Sequence, residues 1–338
     1  MRKLRFGVIG TGWITDEYIH GALDTDLWEL TAVYSRTKER GDAYAKKQAE
    51  LYQIPIPTVY TDLKALADSQ DVDAVYVAAP NVMHYADCKL LLCAGKHVIC
   101  EKPLCAQAEK VAELQEIAEK QGLVFLEAIM FLHLPQRKIL EDALSKLGKI
   151  TLARLDFCQR SSKLDSYLNG ELPNIFNPEL ETGALMDLGV YCVYPALALF
   201  GEPERFDCSP LLLPNGIDGA GTVTLHYPDK LVLLTYSKLG QAGANTDFQG
   251  TEGTLSVDSI SRIAGMRLWE KSGVVTELYG QDEKYKLMGC EARDFYRYIT
   301  EPDETRAEYK RCSELSLSVS ALMEQIRRQA GIHFPSDP

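Results

Sequence analysis

Residues 183–194 read Gly-Ala-Leu-Met-Asp-Leu-Gly-Val-Tyr-Cys-Val-Tyr. If this stretch is helical, Asp187 and Tyr191 stand four residues apart on one face. The rest of the segment is apolar, so the helix should be buried, and a buried acid needs partners. Two readings follow: a core helix with a satisfied polar pair, or an acid/base unit in which Tyr191 exchanges the proton of a hydroxyl. A phenol ionises near pKa ~10, so the second reading requires a cation close by. Lys102, within Glu101-Lys102-Pro103, is the candidate. Its ammonium can lower the pKa of a hydroxyl or a tyrosine and stabilise an alkoxide. Alone, that tripeptide is ordinary surface composition; its place at the end of an expected strand makes it informative.

Such a unit needs a redox partner, and the N-terminus offers one. Leu4 to Ile9 reads as a strand running directly into Gly10-Thr11-Gly12, and Trp13 and Ile14 begin the apolar stripe of a helix. One glycine permits the tight strand-to-helix turn, and the next lets the backbone approach a pyrophosphate. The helix start then offers its unpaired N–H groups to the phosphates. Gly10, Thr11, Gly12, Trp13 and Ile14 are therefore the candidate dinucleotide cradle, with Thr15 where a third small residue usually stands. A bare Gly-x-Gly is weak evidence; set between a strand and a helix, it has the context it needs. At the end of the next strand, where an acid would grip the ribose of NAD, the chain has Ser35, Arg36, Thr37 and Lys38, then Arg40. With no carboxylate to repel a 2′-phosphate, the cofactor expected is NADP(H), with NAD(H) left open. An exposed helix start with solvated basic residues is the bland alternative. Pro80, Asn81 and His84 follow a later strand, at the carboxyl edge where ligands bind. Asn81 can hydrogen-bond near a nicotinamide, whereas His84 is as readily a helix-start residue with no chemical part. Glu101 and Lys102 lie at the same edge.

The elements that must hold these residues alternate. Strands are expected at 4–9, 30–35, 74–79, 97–100 and 123–126, with helices at 37–51, 83–94 and 106–121 between them. Apolar strands alternating with helices indicate a parallel sheet covered on both faces. Later, strands are expected at 150–158, 219–227, 231–238, 245–257 and 266–279, with helices at 136–147, 183–200, 286–300 and 312–330. The alternation Thr-Val-Thr-Leu-His-Tyr at 222–227 indicates an antiparallel sheet, and the polar stretch 161–181 reads as a loop. The fold class expected is an α/β Rossmann domain, a doubly wound parallel sheet at 1–125, followed by an α+β domain with an open, mostly antiparallel sheet at 126–338.

Composition excludes several function classes. Charged residues make up 25% and apolar residues 46%, ordinary for a globular protein. The formal net charge of −12 disfavours nucleic acid or an anionic membrane as partner. Nine cysteines, an odd number without a Cys-x-x-Cys pair, fit no zinc pattern, so no metal is expected. They point to a reducing compartment, and the short apolar run after Met1-Arg2-Lys3 is no signal peptide or membrane span. A cytoplasmic protein acting on a small molecule is the expectation.

Taken in order, Val8-Ile9-Gly10-Thr11-Gly12, Pro80-Asn81 with His84, Gly95-Lys96-His97-Val98 with Glu101-Lys102-Pro103, and Asp187-Leu188-Gly189 with Tyr191 resemble the Gfo/Idh/MocA oxidoreductases along essentially the whole chain. The resemblance implies hydride transfer between a nicotinamide and a secondary alcohol or carbonyl of a sugar, polyol or dihydrodiol. It also implies a homodimer or homotetramer formed through the open sheet. Tyr191, where many members carry His, is closer to the dimeric dihydrodiol dehydrogenase and NADP-linked xylose dehydrogenase branch. In that branch the tyrosine is the proposed acid/base, Lys102 lies near nicotinamide and substrate, and Asp187 supports the substrate or the tyrosine. One departure is Leu132, in Phe131-Leu132-His133, at the place of a branch arginine; His133 is the candidate substitute. A non-catalytic NAD(P)-binding regulator of the same fold is the alternative, and the joint presence of Lys102, Asp187 and Tyr191 argues against it.

Overall fold

The apolar runs near the N-terminus pair as parallel strands, and the segments between them form helices. A computed structural model describes residues 2–337 of the chain, which divide into two compact units. In the first, β1 (Leu4–Ile9), α1 (Trp13–Asp24), β2 (Trp28–Tyr34), α2 (Lys38–Tyr52), β3 (Thr58–Tyr60), α3 (Leu63–Ala67), β4 (Ala74–Val77), α4 (Asn81–Cys93), β5 (His97–Glu101), α5 (Ala108–Gln121) and β6 (Phe125–Ala128) succeed one another. Their strands form a six-stranded sheet in the order β3-β2-β1-β4-β5-β6, and every pair is parallel. All four residues of β4 are buried, as a strand covered on both faces requires. Strand order reverses between β1 and β4, which opens a crevice at the carboxyl edge of the sheet.

The second unit contains α6 (Gln136–Leu144), β7 (Ile150–Cys158), α7 (Leu164–Leu168), α8 (Val190–Phe200), β8 (Arg205–Leu212), β9 (Asp218–His226), β10 (Leu231–Ser237), β11 (Thr246–Gly250), β12 (Gly253–Ser259), β13 (Ala264–Glu270) and β14 (Val275–Tyr279). Its eight strands run β14-β13-β12-β11-β7-β10-β9-β8. The β7–β10 pair is parallel and the others are antiparallel. Two expected strands are each a hairpin. The stretch 245–257 folds back at Thr251-Glu252, and 266–279 turns through Gly273, which sits at φ +89°. The unexpected strand β8 contains Pro210, which cannot donate to a ladder; β8 lies at the sheet edge, where that costs least. The expected loop at 161–181 includes α7 and two short 3-10 turns, Asn174–Phe176 and Pro178–Leu180.

The division expected after residue 125 needs correction. The first unit also claims Glu283–Glu314, which comprises α9 (Lys284–Thr300) and the start of α10 (Pro302–Gln329). The cause is packing. A Cβ at Gly21 of α1 would run into the Tyr285 carbonyl and the Gly289 backbone of α9, so only glycine lets these helices touch. The His20 and Tyr285 rings stack at 3.7 Å, Trp28 and Phe295 stack at 5.5 Å, and the Trp28 indole donates to the Ala292 carbonyl at 2.9 Å. Helix α10 begins ten residues before the expected 312, because Pro302 at its first position and the acids behind it form a favourable helix start.

One stretch among the described residues, Pro178–Phe200, is apolar and long enough to cross a membrane by composition, and 67% of its most apolar window is buried inside the fold. It carries Asp187 and an internal Pro195 and belongs to the core of the second unit.

Candidate functional site

At the crevice of the first unit, Gly10 has φ +104°, and a Cβ there would lie 2.5 Å from the Ala78 carbonyl oxygen. Glycine is required at this turn. Gly12 is the N-cap of α1 and makes no side-chain cap. A Cβ on Gly12 would meet nothing within 4 Å, so open space faces the N–H groups at the helix start, where an anion binds. Beside this turn lies a cavity of about 400 Å³, lined by Gly10, Thr11, Ser35, Arg36, Thr37 and Pro80 of the expected set. Tyr34, Arg40, Ala78, Ala79, Met83 and Asp87 line it too. The guanidinium groups of Arg36 and Arg40 form no ion pair among the described residues, so both are available to an anion. The residues present therefore fit a dinucleotide: a glycine turn for its pyrophosphate, and hydroxyls and cations after β2 for a phosphorylated ribose.

Other expected residues lie outside that lining. Lys38 reaches along α2 to Asp42, at 2.8 Å. Trp13 is exposed, with the Lys284 ammonium 4.3 Å from its ring centroid, and Ile14 follows in the first turn of α1. Asn81 opens α4. His84 is buried, with its ring nitrogens 3.0 Å from the Pro103 carbonyl and 2.9 Å from the Ala79 carbonyl. Burial lowers its pKa below the usual imidazole range. The ring sits between the loops that follow β4 and β5, the place of a structural histidine. Glu101, the last residue of β5, accepts a 2.6 Å hydrogen bond from the Tyr76 hydroxyl. Lys102 comes next, half-buried at the carboxyl end of the strand and joined to Pro103 by a cis peptide.

In the second unit, the apolar segment starts with one π turn, Leu185–Gly189, and continues as α8. Asp187 lies in the π turn and Tyr191 in the first turn of α8. The carboxylate of Asp187 forms an ion pair with Lys238, whose Nζ also donates to the Ile175 carbonyl. Lys238 is 1% exposed and lies 5.0 Å from the centre of the Phe176 ring. A lysine so deep must be paired, and Asp187 and Ile175 meet that need. The Tyr191 ring stacks on Phe157 at 4.9 Å with 22° between planes. Asp218 is fully buried, accepts the Leu185 N–H at 2.7 Å, and has its pKa pushed up to about 6, chiefly by burial. His133 is buried as well.

Sequence reasoning singled out Arg40 beside Arg36 but missed Met83 and Asp87 as cavity residues, and missed Lys238 entirely. Met83 and Asp87 follow Pro80 by three and seven residues, so helical spacing from Pro80 would have found them. Lys238 has no such local signature: it is a lone lysine just beyond a strand, paired with an acid far back in the chain.

Comparison with known proteins bears on this arrangement. Residues 4–128 match the oxidoreductase family model with an NAD-binding Rossmann fold, and residues 140–256 match the Gfo/Idh/MocA C-terminal domain. The chain is 37% identical over 334 residues to scyllo-inositol 2-dehydrogenase (NADP(+)) of Bacillus subtilis, covering 99% of each chain. It is 28% identical over 352 residues to trans-1,2-dihydrobenzene-1,2-diol dehydrogenase of Danio rerio, again over 99% of each. Among solved structures, the 3-ketoreductase KijD10 of Actinomadura kijaniata, in complex with NADP and TDP-benzene, superposes with a TM-score of 0.83 at 26% identity. That match covers 99% of this chain and 100% of the other. The chain is a member of the Gfo/Idh/MocA family of oxidoreductases.

Proposed function

We propose that this chain is an NADP(H)-dependent dehydrogenase or reductase acting on a secondary alcohol, or its carbonyl, in a polyol or sugar-like substrate. The observation that carries the reading is the wall of the cavity after β2, which presents Ser35, Arg36, Thr37 and Arg40 and no carboxylate. A 2′-phosphate is favoured there by charge and by bidentate guanidinium hydrogen bonds. The NADP(+) dependence in the name of the Bacillus relative and the NADP in the KijD10 complex agree with it.

Bound nicotinamide supplies or accepts the hydride at the substrate carbinol carbon. The chain does the rest. The glycine turn and the start of α1 hold the pyrophosphate, and Asn81 orients the nicotinamide end. Lys102 stabilises negative charge developing on the substrate oxygen. Tyr191 takes or returns the hydroxyl proton, its ring fixed by Phe157. Asp187, held in place by Lys238, accepts hydrogen bonds from substrate hydroxyls. In its compartment and assembly we read a cytoplasmic homodimer or homotetramer. Trp269, Val275 and Leu231, exposed on strands of the open sheet, support the association.

The test is a turnover screen of inositols, sugars and dihydrodiols with NADP+, and of the matching ketones with NADPH. Turnover of at least one polyhydroxylated substrate is expected. Failure across the panel in both directions would leave the chain a binding protein.

A further inference from the structure

The cavity of the first unit has cations at one end and a single acid in its wall. Asp87 follows Pro80 by seven residues and Met83 by four, so the three share one face of α4, and that face lines the cavity. Asp87 is only 5% exposed. Its Oδ2 is buried and receives no hydrogen bond, and no cation pairs with the carboxylate among the described residues. Arg36 and Arg40, on the same cavity, leave it alone. Such burial without compensation is costly, and it pushes the Asp87 pKa up to about 6. Buried polar groups in folded proteins are almost always paired. An acid left without a donor in the wall of a ligand cavity therefore identifies what the ligand must bring.

The donor can be specified by elimination, taking the NADP(H) reading of this cavity as its premise. The pyrophosphate belongs to the glycine turn, and the 2′-phosphate with its ribose to the passage after β2 that carries Ser35, Arg36, Thr37 and Arg40, which leaves the purine for the α4 face. Purine bases differ most sharply at position 6: adenine carries an amino group, a donor, whereas hypoxanthine and guanine carry a carbonyl, an acceptor. An ionised carboxylate accepts only. The thioether of Met83, one turn earlier on the same helix face, offers apolar contact for the base plane.

We propose that Asp87 reads the base of the cofactor by accepting a hydrogen bond from the 6-amino group of adenine, and that it excludes dinucleotides carrying a 6-oxopurine. A carboxylate aligned on the exocyclic 6-position would meet the carbonyl of a 6-oxopurine, acceptor against acceptor, and the N1–H donor beside that carbonyl lies off this line. Discrimination of this kind is stronger than that from shape alone, because it leaves a buried polar group unpaired.

The experiment compares NADPH with reduced nicotinamide hypoxanthine dinucleotide phosphate, in which the 6-amino group is replaced by a carbonyl and N1 carries a proton. Dissociation constants come from nicotinamide fluorescence with the wild-type chain and with D87N. The wild type should bind the hypoxanthine form more weakly by roughly tenfold or more. The amide introduced by D87N can turn its N–H₂ toward the 6-oxo group, so this variant should lose or invert that preference. The ratio within each protein is its own control, and a thermal melt verifies that D87N is folded. Equal binding of the two dinucleotides by the wild type would overturn the proposal, as would a preference unchanged in D87N. If NADPH itself fails to bind the wild type, the cofactor reading falls and this inference with it. If NADPH binds and the ratio is flat, the cofactor reading stands and Asp87 has no part in base recognition.

Discussion

The cofactor cavity and the Asp187 region are built in opposite ways. Around the cavity, every lining residue comes from the ends of β1, β2 and β4, the turns after them, or the first two turns of the helices that follow. Local backbone geometry makes that site: Gly10 at positive φ, the uncapped start of α1, and one face of α4. The Asp187 region depends on partners distant in sequence. Lys238 lies 51 residues from the acid it pairs with, and Asp218 lies 33 residues from the N–H it accepts. The first arrangement should tolerate change outside its loops. The second should fail when one distant partner is removed.

Substitutions at four places test that contrast, in order of decreasing effect. Lys102→Met removes the cation at the end of β5 and should lower kcat by about 10²–10³, the range for loss of one charge-stabilising group. The loss should far exceed any change in the Kd for NADPH, and turnover within about threefold of wild type would refute the role. Lys238→Met leaves the half-buried Asp187 carboxylate without the Lys238 ammonium. Removing one partner of a fully buried pair costs about 3–5 kcal/mol; Asp187 still reaches solvent, so a smaller loss and a fall in Tm of a few degrees are expected. The double variant K238M/D187N should recover much of it; if the double variant melts no higher than the single one, the pair is not coupled.

The third substitution concerns pH. Burial holds Asp218 protonated up to about pH 6 in the folded chain, whereas unfolded it ionises near pKa ~3.9. Between those values the native state binds more protons than the unfolded one, so this group's contribution to stability falls as pH rises from about 4 to 6. Asp218→Asn cannot ionise and should flatten that part of a Tm–pH curve relative to wild type. Identical curves would show that Asp218 does not titrate there. The smallest effect belongs to the cavity rim. Arg36→Ala or Arg40→Ala should weaken NADPH by about tenfold each, as expected for a lost charge-assisted contact, with NADH affinity nearly unchanged. Equal weakening of both cofactors would mean that the arginines do not meet a 2′-phosphate.

What the sequence reveals follows the same contrast. Gly10-Thr11-Gly12, Ser35-Arg36-Thr37 and Pro80 were legible because strand-to-helix turns impose residue types at short, fixed spacings. Helical periodicity placed Asp187 and Tyr191 in one helical segment, although a π turn rather than a plain helix carries the acid, and its ion pair is with Lys238. The return of α9 to the first unit was hidden, since nothing local at Gly289 says that Gly21 is its neighbour. The hairpins at 246–259 and 264–279 were read as single strands because strand propensity continues across their short turns. Asp87 was overlooked for a different reason: an acid on an amphipathic helix reads as solvated until the cavity beside it is seen.

Selection of NADP(H) by the cavity after β2 underlies the roles assigned to the rest of the site. Titration of the apo-protein with NADPH and NADH separately, following nicotinamide fluorescence, tests it most directly. NADPH should bind tightly, and NADH more weakly by about an order of magnitude or more. Equal or tighter binding of NADH would contradict it, while leaving the Rossmann fold in place.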